Sequence, residues 1–248
     1  MMNYKILLSP AKNLKKQPYI NMDSLSTPRF MNEAKLIHRA LSKMKFQQIV
    51  ETMGVSATLA RETLEMIKMW DHRFQYRAVE LFDGEVYRGL AEETLDASQR
   101  SWMNDHVRIL SGLYGILNPD DLIAPYRLEM KTKLSIKKSE NLYLFWGEKL
   151  AKQLKSEAAF LVNLASDEYS KAVLPYWDKS HVITPVFMEE NSGKPKVVMM
   201  YAKNARGKMA RFIVQNQLEQ LADIQAFDWD GYGFSAQNSD EHRWVFLR

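Results

Sequence analysis

Apolar positions along the chain change their period several times, and each change predicts an element. Tyr4 to Ser9 is a short apolar run with β character, closed by Ser9-Pro10, a pair that starts a helical turn or loop. Ala34, Ile37, Leu41 and Met44 then recur at helical spacing, with Lys35, Arg39, Lys43 and Lys45 on other faces. Leu59, Thr63, Met66, Ile67 and Trp70 mark a further helix. Ala78 to Phe82 reads as a strand and Asp83-Gly84 as a turn. Ala97 to His106 predicts a helix capped from Asp96, and Val107 to Leu110 a strand. Leu142 to Leu154 places apolar residues at 142, 145, 146, 150 and 154, as one helix would. Phe160 to Ala165 is continuously apolar, as expected of a strand buried on both faces. Ser166-Asp167-Glu168 opens a helix after it. Val182 to Met188 and Lys196 to Ala202 read as a hairpin joined through Asn191-Ser192-Gly193. Ala205 to Leu221 is the last long helix, and Trp244 to Leu247 a closing strand.

No composition shift or repeat divides the chain. The expectation is a mixed α/β (α+β) fold in a single domain over residues 1–248. It has a mixed sheet, surrounding helices and a helical subregion at about residues 30–72. Hydrophobic content of 46% is enough for a sizeable core. No apolar run approaches the roughly 20 residues a membrane helix needs, and the N-terminal run is too short for a signal peptide. With no cysteine, disulfides and thiolate metal sites are excluded for this chain. A cytoplasmic, membrane-free monomer is the expectation.

Charge changes the picture more than composition does. Residues 1–50 carry nine Lys/Arg against Asp23 and Glu33, whereas residues 51–100 carry six basic and ten acidic side chains. That polarity favours a polyanion partner on one face, although a solvated basic face needs none. Lys203, Arg206, Lys208 and Arg211 sit together without an acid. Lys203 and Arg206 flank the expected helix start, where cations oppose the helix dipole unless an anion sits between them.

The chemistry-bearing residues concentrate in Leu110 to Met130, LSGLYGILNPDDLIAPYRLEM. Gly112 and Gly115 permit close approaches, while Pro119 and Pro125 fix the backbone. A rigid loop presenting Tyr126, Arg127 and Glu129 is one reading, and a packed crossover with a structural Arg–Glu pair is the other. Ser166, Glu168, Tyr169 and Lys171 follow a buried strand, where α/β proteins place ligand sites. Together with Ser9 and Lys12 these residues are candidates for one cleft, binding phosphate, doing acid–base work, or forming an ion-pair network. Ser9-x-x-Lys12 has the spacing of a serine acyl-enzyme motif, but its companion elements are missing and the match is best read as chance. The five histidines lack helical metal spacing, so no metal is expected. No Gly-rich phosphate loop occurs, so no cofactor is expected.

Longer motifs carry a resemblance. LSGLYGILNPDDLIAPYRLEM, LLSPAKNL, FDGEVYRGL, LYLFWGEKL, NLASDEYSKAV, ITPVFMEENSGKPK and YAKNARGKMARFIVQN follow one another in an order that resembles the YaaA family of bacterial peroxide-stress proteins along the whole chain. The resemblance implies a protein that protects against hydrogen peroxide by limiting free iron and hence damage to DNA. It also implies DNA binding, duplex or distorted, through a basic cleft and a helix-hairpin-helix element. Ile49 to Ile67 has that outline, with Gly54-Val55-Ser56 at the turn and Ala60 where the helices pack. Ser56 replaces the second glycine, and no cation lies in the turn. Lys12, Arg127, Lys133, Lys171, Lys203, Arg206 and Arg211 are the cleft's candidate cations. The expected function is DNA binding without strong sequence preference and without catalysis. The rival is an enzyme acting on a small phosphorylated or nucleoside-like substrate.

Overall fold

A computed structural model describes residues 3–15, 26–70, 76–191 and 194–248. The strands are β1 (Tyr4–Leu8), β2 (Asn13–Leu14), β3 (Tyr76–Arg77), β4 (Phe82–Asp83), β5 (Val107–Ser111), β6 (Gly115–Leu117), β7 (Leu122–Ile123), β8 (Phe160–Asn163), β9 (Val182–Asn191), β10 (Lys194–Lys196), β11 (Gly233–Phe234) and β12 (Arg243–Leu247). The α-helices are α1 (Met31–Leu41), α2 (Phe46–Met53), α3 (Ala57–Lys68), α4 (Ala78–Leu81), α5 (Glu85–Leu90), α6 (Ala97–His106), α7 (Leu142–Trp146), α8 (Lys149–Glu157), α9 (Asp167–Ser170) and α10 (Met199–Gln215).

The main sheet runs β11-β12-β9-β8-β1-β5-β6, with β10 paired to β9. Its centre, β12-β9-β8-β1-β5, is parallel, and β6 and β11 close the edges antiparallel. All five side chains of β1 are buried, as they must be for a parallel strand covered by helices on both faces. Burying each of its leucine or isoleucine side chains is worth about 1.5–3 kcal/mol. The expected mixed α/β architecture is what forms. The helical subregion is α1, α2 and α3, whose Ala34, Ile37, Ile49, Ala60 and Ile67 enter the same core as the sheet.

Several elements differ from the sequence reading. Ala78 to Phe82 is not a strand: Ala78–Leu81 forms the short helix α4, whose Ala78 and Val79 amides donate to Asp121 and Pro119 carbonyls. A short, wholly buried apolar run fits either period, and tertiary hydrogen bonds decide it. The helix expected at Leu142 to Leu154 breaks into α7 and α8 at Gly147, whose φ of +47° an L side chain rarely adopts. Ser9-Pro10 opens a loop, the second of the two readings its sequence allowed. Residues 196–202 do not form the second hairpin strand, because β10 ends at Lys196 and α10 begins at Met199. The hairpin tip, Ser192-Gly193, lies outside the described residues. The helix expected from Ala205 therefore starts six residues earlier, without a side-chain cap.

Candidate functional site

β1 and β8 are adjacent parallel strands whose chains leave in opposite directions, β1 toward β5 and β8 toward β9. At such a reversal open α/β sheets place ligands, in the crevice outside the carboxyl ends of the strands. Ser9 follows β1 there, and Ser166 follows β8. The Ser166 amide donates to Ser9 Oγ at 2.8 Å, Ser9 Oγ donates to Ser166 Oγ at 3.2 Å, and the Tyr87 hydroxyl donates to the Ser9 carbonyl at 3.0 Å. Ser9 Oγ is thus spent across the crevice, while Lys12 turns away to Glu129, so the Ser-x-x-Lys pair does not assemble.

The segment Ser111 to Met130 forms the second wall. Ser111 Oγ accepts from the Leu113 and Tyr114 amides and bonds the Tyr126 hydroxyl at 2.7 Å. The Trp70 indole donates to the Tyr114 hydroxyl at 2.8 Å, which ties this wall to the helical subregion. The loop is rigid because its polar groups bond one another. At its end, Arg127 Nη2 donates to the Lys12 carbonyl at 3.1 Å, and Lys12 Nζ lies 2.7 Å from Glu129. Lys131 Nζ bridges Glu129 at 3.2 Å and Glu168 at 3.6 Å, and its amide donates to Glu168 at 3.3 Å. Tyr143 donates to the Glu168 carbonyl at 2.8 Å.

Burial alone would raise the Glu129 carboxyl, but hydrogen bonds from Lys12 and Lys131 outweigh it and hold the group below its usual range. Hydrogen bonding to Glu129 in turn raises Lys131. Burial pushes the Tyr126 and Tyr169 phenols well above their ordinary values, so both keep their protons at neutral pH. The cleft is therefore an alternating array of cations and carboxylates over two neutral phenols.

α10 crosses α5 behind the crevice. Arg206, in its second turn, is half-buried and makes no hydrogen bond or ion pair among the described residues; burial lowers its pKa, and Asp167, beside Ser166, is the charge that opposes this. Since α10 begins at Met199, Lys203 and Arg206 do not stand at a helix start, and the dipole argument does not apply to them. Arg211 is spent elsewhere: Nη1 donates to the Leu90 and Ala91 carbonyls at 3.0 and 2.8 Å, capping the end of α5. Lys208 pairs with Asp230. Lys133, Lys171 and Lys203 are exposed and make no ion pair among the described residues.

The turn of the helical hairpin is Gly54-Val55-Ser56. Gly54 closes α2 at φ +62°, and Ser56 caps α3 by accepting from the Leu59 amide at 3.3 Å. A β-carbon on Gly54 would meet nothing within 4 Å, so the turn is open to an approaching group. At 1.5 Å per residue, the turn lies roughly 16 Å along α3 from Ile67, at the end near Trp70.

The structure thus brings together Ser9, Lys12, Tyr126, Arg127, Glu129, Ser166, Glu168 and Tyr169. The hairpin turn and Arg211 lie apart from them. Sequence reasoning missed Tyr87, Lys131 and Tyr143. Of these, only Lys131 carried a signal, directly following the Arg-Leu-Glu-Met run.

A mixed α/β sheet with a polar crevice at its strand reversal and a helical hairpin on one flank defines the class. Residues 4–238 match the family described as peroxide stress protein YaaA, and the chain belongs to it. It is 40% identical to a UPF0246 protein of Azoarcus sp. (strain BH72) and 40% identical to one of Dechloromonas aromatica (strain RCB), with 98% of each chain covered. A UPF0246 protein of Maricaulis maris (strain MCS10) is 41% identical, covering 98% of this chain and 95% of its own. Among the described residues, no helix is long and apolar enough to cross a membrane.

Proposed function

We propose that this peroxide-stress protein binds DNA without strong sequence preference and so limits iron-dependent oxidative damage to it. The observation that carries the reading is that Lys133, Lys171 and Lys203 are exposed cations that make no ion pair among the described residues. Lys133 follows the Arg127–Met130 wall and Lys171 follows α9, while Lys203 stands on α10. Lysine contacts phosphate as a point charge and reads no base edge, which fits binding without sequence choice. The open turn at Gly54 supplies a second, separate point where a phosphate meets backbone amides near a helix start. The link to iron rests on the family likeness alone.

Fluorescence anisotropy with labelled duplex, bubble and single-stranded DNA tests the binding. Comparable affinity for unrelated sequences, weakening steeply with salt, is expected. No saturable binding at low salt, or binding to one sequence only, overturns it. A deletion strain with low scavenging capacity should lose peroxide resistance and gain free iron by whole-cell spin resonance, and unchanged values would refute the iron link.

A further inference from the structure

α10 opens on the two most exposed large apolar residues among those described, Met199 at 61% and Met200 at 64%. Met103, Met130 and Met209 are buried, and the other described methionines are half-buried. Leucine at either position would present much the same apolar volume to water. What methionine adds is a thioether that peroxide converts to a sulfoxide, most readily where it is exposed. The helix also sets this pair beside a charge. Lys203 lies four residues after Met199 and three after Met200, so all three share one face of α10. Lys203 is itself exposed and makes no ion pair among the described residues. A thioether sulfur is a weak acceptor, whereas a sulfoxide oxygen is polar and accepts well from an ammonium one turn away.

We propose that Met199 and Met200 are the site at which hydrogen peroxide modifies this protein, and that their sulfoxides hold the Lys203 ammonium back from a DNA phosphate. The thioether sulfur attacks one peroxide oxygen. The O–O bond breaks as the S–O bond forms, and the other oxygen leaves with both protons as water. Sulfur is oxidised and peroxide reduced, with no further reactant. Neither side chain packs into the core, so the fold survives the change. The link to DNA rests on the reading of Lys203 as a phosphate contact, and the modification site does not.

The test treats the full chain with hydrogen peroxide in the presence of a metal chelator, which keeps iron-derived radicals out, and follows each methionine by peptide mass spectrometry over time. Met199 and Met200 should each gain one oxygen ahead of half-buried Met31, Met66 and Met188 and well before buried Met103, Met130 and Met209. Modification at 199 and 200 no faster than at the half-buried methionines overturns the proposal. Anisotropy with labelled duplex on the same samples reads the consequence. Oxidised protein should bind roughly two- to threefold more weakly, as competition from an exposed one-turn pair allows, and methionine sulfoxide reductases with a dithiol should restore the affinity. The double variant Met199→Leu, Met200→Leu should bind like the parent before treatment and keep that affinity after it. An equal loss in this variant, or no loss in the oxidised parent, overturns the link to Lys203. If the untreated protein binds no DNA, the proposed function fails and the link with it, while the peptide map alone decides the site.

Discussion

Gly207 of α10 sits against Val86 of α5 so closely that a β-carbon would stand 1.9 Å from the Val86 carbonyl oxygen. The partner helix mirrors this, because a β-carbon on Gly89 would lie 2.3 Å from the Asn204 carbonyl oxygen. Each glycine is the slot for the other helix's backbone.

Gly207→Ala should therefore act as overpacking against backbone that cannot turn aside. A loss of about 3 kcal/mol is expected, at the upper end of the usual range for an added methyl. Urea denaturation measures it. Less than about 1 kcal/mol would mean that the two helices separate easily.

Gly54→Val tests the hairpin turn. Valine at φ +62° costs about 1–2 kcal/mol in backbone strain, with no clash to add to it. Gly54→Asn should lose much less, since asparagine tolerates this region. Under conditions where both variants are folded, valine should weaken DNA binding severalfold in the anisotropy assay. Equal affinities would detach the turn from the DNA surface.

The exposed lysines predict a salt signature. Each phosphate contact contributes about −0.9 to the slope of log K against log salt on duplex DNA. Replacing Lys133, Lys171 and Lys203 by Gln should make that slope shallower by roughly two to three, uniformly across sequences. All three are exposed, so the thermal midpoint should hold. A slope equal to the parent's would place the DNA elsewhere.

A pH dependence follows from Glu80, a buried carboxyl whose Oε2 has no hydrogen-bond partner among the described residues. Burial raises its pKa, neighbouring Glu92 adds to this, and Arg77 at 3.9 Å offsets only part. The unfolded chain therefore ionises Glu80 first. Native stability falls as pH climbs from the unfolded pKa through the folded one, and the penalty is then constant. Glu80→Gln, neutral throughout, should raise the thermal midpoint at neutral pH by about 2 °C or more and change little near pH 3. A gain that persists undiminished at low pH would rule out ionisation as its cause.

Local signals were legible in the sequence where they were strong. Asp96 caps α6 with a reciprocal Gln99 bond, as its spacing predicts, and the continuous run at Phe160 is a doubly covered strand. The start of α10 was not legible, because Val198 offers no cap and the exposed Met199, Met200 and Tyr201 look apolar enough for a strand. Ser9, Lys12, Glu129, Ser166 and Glu168 could be named from their flanking motifs, yet neither Tyr87 and Tyr143 nor the pairing could. Tyr87 meets Ser9 across 78 residues and Ser166 meets Ser9 across 157, distances that no periodicity encodes.

β1 opens the chain yet occupies the middle of the sheet, with Ile6 paired to Val107 on one side and Val162 on the other. Neither neighbour exists when Tyr4 to Leu8 leaves the ribosome. Its five buried positions, Lys5 among them, must wait unpaired until two distant segments have been synthesised, the later of them from residue 160 onward. Such long-range pairing raises contact order and slows folding, and it leaves a bare hydrophobic strand exposed meanwhile. The nascent protein thus depends on whatever shields its first strand during translation.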